Sequence, residues 1–227
     1  MMQSQLVKGH ALGGDMFSGV SFRRELTRDD LERMRVPSRY WMSSFDQLSS
    51  DGGGESIKGM VHRYISNMSD MRRAGGGFVF WGGNGTGKTS GSVVIAKEYR
   101  RRGETVLFLE AASIKKMVIE KEHFDEDQTY WDRAMSVDVL VVDDFGKGVM
   151  DGTGLGATLV DELIRHRNSN RRVTIITTNL DPAEWIGELG LKESTMKTLK
   201  ECAIPVHVTG EDKRDCSADM LRSMLAN

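Results

Sequence analysis

The stretch Gly82-Gly83-Asn84-Gly85-Thr86-Gly87-Lys88-Thr89 limits the folds open to this chain more than any other. It follows a short apolar run, Phe78 to Trp81, and precedes an amphipathic stretch, Val93 to Arg102. Strand, glycine-rich loop and helix in that order turn backbone N–H groups inward at a helix N-terminus, which makes an anion site. Glycines admit the positive φ angles this turn requires, where a side chain would collide. Lys88 supplies a charge for the β and γ phosphates of a nucleotide, and Thr89 a hydroxyl for Mg2+. Ser90, next in sequence, joins Gly82 to Thr89 among the expected nucleotide contacts.

Such a loop needs a sheet to carry it. Apolar runs at Val106 to Leu109, Val137 to Val142, Val173 to Ile176 and Ile204 to Val208 join Phe78 to Trp81 as five expected strands. Amphipathic stretches, notably Val93 to Arg102 and Leu155 to Arg167, lie between them. That alternation predicts an α/β fold of three layers, a parallel sheet covered by helices on both faces. Upstream, Thr27 and Asp30 form a capping-box pattern that opens a helix over Thr27 to Arg35, stopped by Pro37. A loop is expected at Ser49 to Gly54. Ile57, Met60, Val61, Tyr64, Ile65, Met68 and Met71 recur at helical spacing until Gly75, Gly76 and Gly77, which predicts one continuous helix there.

The run ending at Val142 delivers Asp143 and Asp144 to the carboxyl edge of the sheet, where folds of this class bind ligands. Asp143 is expected to hold the magnesium shell, and Asp144 to orient or deprotonate an attacking water. Asp138, at the start of the run, reads as structural. Asn179 closes the polar end Thr177-Thr178-Asn179 and has two readings: an amide that senses the γ-phosphate or the lytic water, or the start of a turn before Asp181-Pro182.

Composition narrows the function classes. The 227 residues, 39% of them hydrophobic, suffice for one domain with an appendage. With 31 basic and 33 acidic residues no global field favours nucleic acid, so any such contact is local. Candidates are Arg100, Arg101 and Arg102, read first as a helix end offsetting its macrodipole, then Arg165, Arg167, Arg171 and Arg172, and Lys115 with Lys116. Cys202 and Cys216 form no CxxC pair, and the five histidines share no ligand spacing, so neither a disulfide framework nor a zinc site is expected. No 18-residue apolar stretch occurs, and a cytoplasmic protein away from membranes is expected.

The order GGNGTGKT, VDVLVVDDFG and TIITTNL resembles the AAA+ ATPases of the DnaC-type helicase loaders, relatives of the IstB transposition ATPases, and the likeness spans about Val36 to Arg214. The resemblance implies ATP and Mg2+ as ligands. It makes Gly82 to Thr89 Walker A, Asp143 and Asp144 Walker B, Asn179 sensor 1 and Arg214 sensor 2. Val36 to Tyr40 and Phe45 match the segment bordering the base, with Tyr40 as the expected contact. It implies a core over residues 36–227, with the five strands read above and no separate helical lid. The tail after Val208 reads as short and ends in a helix at Ser217 to Leu225, and residues 1–35 read as an extension, flexible or partner-binding, shorter than the one with which such loaders commonly grip the helicase. The partners it implies are a hexameric replicative helicase and single-stranded DNA, with self-association on ATP or DNA binding. One position departs from the family: Thr198 stands where an arginine finger is expected, with Lys197 and Lys200 as imperfect substitutes. Other tasks remain open, namely an IstB-like helper on duplex DNA and an ATP-binding module with little turnover. A small-molecule kinase would need an arginine-rich lid, and none follows Asp144.

Overall fold

The structure is a computed structural model that describes residues 24–51, 56–116, 130–146, 148–149 and 154–212. Helix α1 (Arg28–Arg33) begins with the predicted capping box: the Asp30 N–H donates to the Thr27 hydroxyl, and the Thr27 N–H donates back to the Asp30 carboxylate. It ends in a Schellman turn, with Arg35 N–H donating to Glu32 O at 2.8 Å and Val36 N–H to Leu31 O at 3.1 Å. Arg35 adopts φ +58° there, a position that favours glycine. The turn lies on the body of the protein, because the Phe108 N–H donates to Met34 O at 2.7 Å and Arg100 pairs with the buried Asp30 at 2.9 Å.

The single helix expected from Ile57 is two: α2 (Ile57–Ser66) and α3 (Met68–Ala74). Asn67 leaves helical geometry at φ −108°, ψ 17°, where its backbone N–H and its side-chain amide both donate to Arg63 O, at 3.2 and 2.8 Å. Hydrophobic spacing continues across the joint, so periodicity alone does not register it.

Among the described residues, β1 (Gly77–Trp81), β2 (Val106–Glu110), β3 (Val139–Asp143), β4 (Val173–Thr178) and β5 (Ala203–His207) form one parallel sheet in the order β2-β3-β4-β1-β5. Helix α4 (Lys88–Arg101) and α2 cover one face; α5 (Tyr130–Ser136), α6 (Leu155–Ser169), α7 (Trp185–Leu189) and α8 (Glu193–Cys202) cover the other. Strand β3 shows why the sheet holds: Val139 and Val141 enter the core under α4, Leu140 and Val142 the core under α6, and all are buried. Each such side chain contributes about 2 kcal/mol of burial free energy. No helix of the described residues is long and apolar enough to cross a membrane. The expected helix Ser217 to Leu225 and residues 1–23 lie outside the described residues.

The order places β4 between β3 and β1. The carboxyl ends of those three strands therefore meet, and the glycine loop, the acidic pair and Asn179 each follow or end one of them.

Candidate nucleotide site

The chain leaves β1 at Trp81 and turns through Gly82 at φ +133°. A Cβ on Gly82 would lie 2.4 Å from Val208 O, so only glycine passes between β1 and the end of β5. Gly85 (φ +67°) has the Asp212 carboxylate against its Cα, where an added Cβ would stand 1.6 Å from Oδ1. The segment after β5 thus returns over the loop. Gly87 (φ +95°) caps α4, whose first residues are Lys88, Thr89 and Ser90. The Thr86 hydroxyl donates to Gly83 O at 3.0 Å and closes the loop on itself, while Gly83 and Asn84 are exposed at its tip. Lys88 is buried, and its ammonium donates to Gly82 O at 2.8 Å and to Gly83 O.

Asp143 ends β3 and is buried. One of its carboxylate oxygens accepts from the Thr89 hydroxyl at 2.8 Å and from the Thr177 hydroxyl at 2.6 Å. Burial raises its pKa above the usual carboxylate range; the Thr177 and Thr89 bonds and the charge of Arg39 oppose that, while the charge of Asp144 adds to it. Asp144 follows at φ +55° and is exposed; its N–H donates to the Thr177 hydroxyl at 3.0 Å. Thr177 thus fixes both acids, accepting from one backbone and donating to the other carboxylate. Asn179 is exposed one residue beyond β4, between the strand ends that carry the acids and the glycine loop.

These groups suit a magnesium nucleotide. Thr89 and Asp143 place two hard oxygen ligands 2.8 Å apart at the mouth of the loop, and Mg2+ takes one or two protein oxygens alongside phosphates and waters. No larger set is needed: among the described residues no three His, Cys, Asp or Glu side chains gather to hold a metal alone.

Tyr40 lies half-buried in a 3-10 turn, Ser38–Tyr40, with the Arg39 guanidinium 4.7 Å from its ring centre. The sequence reading missed what anchors this turn. Lys97, about two and a half turns along α4 from Lys88, is buried and donates to Tyr40 O at 3.2 Å, Trp41 O at 2.6 Å and Ser43 O at 2.8 Å. Burial pulls its ammonium down to about 8, with Arg101 repelling it as well. Its signal in the sequence was a lysine on an otherwise buried helix face. Thr177 and Arg39 were also missed as site residues; a threonine ending a buried strand and an arginine beside an expected base contact carry no distinctive pattern.

Other expected positions fare differently. Arg214 lies outside the described residues. Thr198 is half-buried on α8, its hydroxyl turned back to Ser194 O at 3.1 Å, and Lys197 and Lys200 flank it, exposed. Arg167, proposed with its neighbours for phosphate contact, is fully buried: its guanidinium donates to Thr174 Oγ1, Ala134 O, Val137 O and Val173 O, so it joins elements and meets no nucleic acid. Arg165 is bound by Asp161 and Ser194. Arg101 and Arg102 pair with Glu98 at 3.5 and 3.6 Å, in keeping with the helix-end reading.

A glycine loop between β1 and α4, an acidic pair on β3 and a polar end on the strand between them define a P-loop NTPase of the AAA+ type. Residues 61–214 match the family of IstB-like ATP binding proteins, and the chain belongs to that family. Its fold is similar to the crystal structure of the DnaC helicase loader, with a TM-score of 0.64 at 21% identity over 76% of this chain and 100% of that one. It is similar to DnaI at 0.62 and 19%, over 78% of this chain and 94% of that one. The replication initiator DnaA bound to AMPPCP and single-stranded DNA gives 0.60 at 17%, over 78% of this chain and 51% of that one. None of the curated proteins compared with the chain matches it.

Proposed function

We propose that this chain is an ATP-switched replication protein that loads a replicative helicase onto single-stranded DNA. The observation that carries the reading is extent: the solved DnaC helicase loader is matched over its whole chain, whereas DnaA is matched over about half. In this reading Gly82 to Thr89 and Ser90 wrap the phosphates, Lys88 leaves the Gly82 and Gly83 carbonyls for the β and γ phosphates, and Tyr40 borders the base. Thr89 and Asp143 hold Mg2+, which neutralises phosphate charge. Asp144 orients the attacking water, Asn179 reports the γ-phosphate, and Arg214 contacts the nucleotide from the C-terminal segment. Turnover is slow, because Thr198 offers a neighbouring subunit no guanidinium. The test is co-purification with the hexameric helicase together with ATP-dependent binding of single-stranded DNA. Absence of both sinks the reading.

The match to IstB-like proteins supports a second one, a transposition helper that assembles on duplex DNA. ATP-dependent filaments on duplex, with no helicase contact, decide for it.

A further inference from the structure

Along the outer edge of β2, where the turn after α1 is held by the bond from Phe108 N–H to Met34 O, arginines gather around an exposed aromatic ring. Tyr130 opens α5 with 43% of its surface exposed. The Arg35 guanidinium stacks over its ring at 4.0 Å from the centre, and Arg133, one turn along α5, stands 5.8 Å from the same centre. The Arg133 guanidinium also donates to Arg33 O at 3.0 Å, which joins α5 to the end of α1. Beside them a cleft of about 310 Å³ is lined by Arg33, Arg100, Arg133, Thr105 and Ser136 together with three apolar side chains.

The charges here are unevenly matched. On α1, Asp29 is paired with Arg33, Glu32 with Arg28, and Asp30 with Arg24 and Arg100. Arg35 and Arg133 pair with no carboxylate among the described residues, and their contacts are to an aromatic face and a carbonyl. Arg35 also holds a left-handed backbone position at the Schellman turn, where glycine costs least, so its side chain is not there for the turn.

We propose that Tyr130, Arg35 and Arg133 form a contact surface for a single nucleic-acid strand, with the arginine-lined cleft receiving its phosphates. An aromatic ring under a guanidinium plane offers a stacking platform to an unpaired base, and arginines with adjacent hydroxyls suit phosphate oxygens. A duplex keeps its bases stacked on one another and would use the charges alone. The proposal rests on the strand-binding reading above and adds a location on the β2 edge of the sheet, built from residues other than those of the ATP site.

Arg35→Gly tests it cleanly, because the turn keeps its hydrogen bonds and loses its unfavourable φ. Affinity for a labelled oligo-dT is measured by fluorescence anisotropy across a salt series, beside ATP affinity and thermal midpoint. Arg35→Gly and Tyr130→Ala each weaken strand binding about five- to tenfold. Arg35→Gly lowers the salt slope by about 0.7. The Arg35→Gly midpoint does not fall, and ATP affinity stays at the wild-type value in both variants. A double variant that binds oligo-dT like wild type overturns this surface and leaves the loader reading intact. Wild-type protein that binds no strand, with or without ATP, overturns this surface, and the loader reading falls with it when helicase co-purification is absent as well. If the variants keep strand affinity and lose helicase capture, the surface docks protein and the proposal fails.

Discussion

Strand β3 begins and ends beside an aspartate, and the two ends of the sheet treat these acids in opposite ways. Asp138, just before the strand, is met by the Arg72 guanidinium and by the Thr105 N–H and hydroxyl at 3.0 and 2.6 Å. Burial pushes its carboxyl up, the bonds from Thr105 and the charge of Arg72 pull it further down, and its pKa falls below the ordinary value. Asp143, at the other end, has hydroxyls for partners, and burial wins. Nearby cations follow the same division. Arg167 at the amino end is satisfied by four protein acceptors, although burial lowers its guanidinium to about 9. Lys88 at the carboxyl end donates to the loop carbonyls of Gly82 and Gly83, which in the proposed function a phosphate replaces. A charge satisfied by the fold stabilises it; a charge held by weak, exchangeable partners is kept for a ligand.

The largest test of this contrast is Arg167→Met. It strands buried acceptors on α5, β4 and the approach to β3, and is expected to cost about 3 kcal/mol, a midpoint drop of roughly 6 to 12 °C in thermal unfolding. Nucleotide affinity of the folded fraction is unchanged. A loss below about 1 kcal/mol would show that the amino end is no tighter than the other.

Lys88→Ala reverses the pattern. ATP affinity falls roughly 100-fold, about 2.7 kcal/mol, when measured by titration calorimetry. The ligand-free midpoint moves little, since the bonds removed are to carbonyls at the loop mouth. A destabilisation as large as that of Arg167→Met would mean that the lysine is structural and break the comparison.

The paired aspartates sharpen it by sign. Asp138 has a depressed pKa in the fold, so its contribution is present in full above the ordinary aspartate value of about 3.9 and fades as pH falls below it. Asp143 has a raised pKa, so the fold holds its proton more tightly than the unfolded chain does; stability falls as pH rises from about 3.9 through the raised value, and at neutral pH the ionised group is a net cost. Asp138→Asn is therefore expected to destabilise by about 1.5 kcal/mol at pH 7. Asp143→Asn is expected to stabilise ligand-free protein by about 1 kcal/mol while weakening Mg2+-dependent nucleotide binding. Denaturant titrations at pH 7 and pH 4 decide both, and like signs would refute the contrast.

The two ends were unequally legible in the sequence. Lys88, Asp143 and Asp144 sit in a string whose chemistry dictates its residues, and the apolar runs around them announced five strands because a buried parallel strand tolerates little else. The amino end announced nothing. Arg167 looked like a surface base because its acceptors are backbone carbonyls, Ala134, Val137 and Val173, that any residue supplies. Tyr130 and Arg35 lie 95 positions apart, and only the fold brings them together. The joint between α2 and α3 at Asn67 leaves hydrophobic spacing intact. Local patterns reveal the groups that the proposed function assigns to a ligand; groups whose partner is the fold are revealed by the fold.

Thr177 falls between these classes and gives the smallest expected effect. Its hydroxyl accepts from the Asp144 N–H and donates to Asp143, so it is a fold contact that sets the state of a ligand group. Thr177→Val keeps the shape and removes both bonds, for about 1 kcal/mol of stability. The Asp143 carboxylate then loses a donor to its charged form, and its pKa rises further. Mg2+-dependent nucleotide affinity is expected to drop about fivefold at pH 7, and the acidic limb of its pH profile to move upward, while Mg2+-independent binding through the loop is kept. If the limb stays in place, Thr89 alone orients Asp143, and the carboxyl end is held more like the amino end than its hydrogen bonds imply.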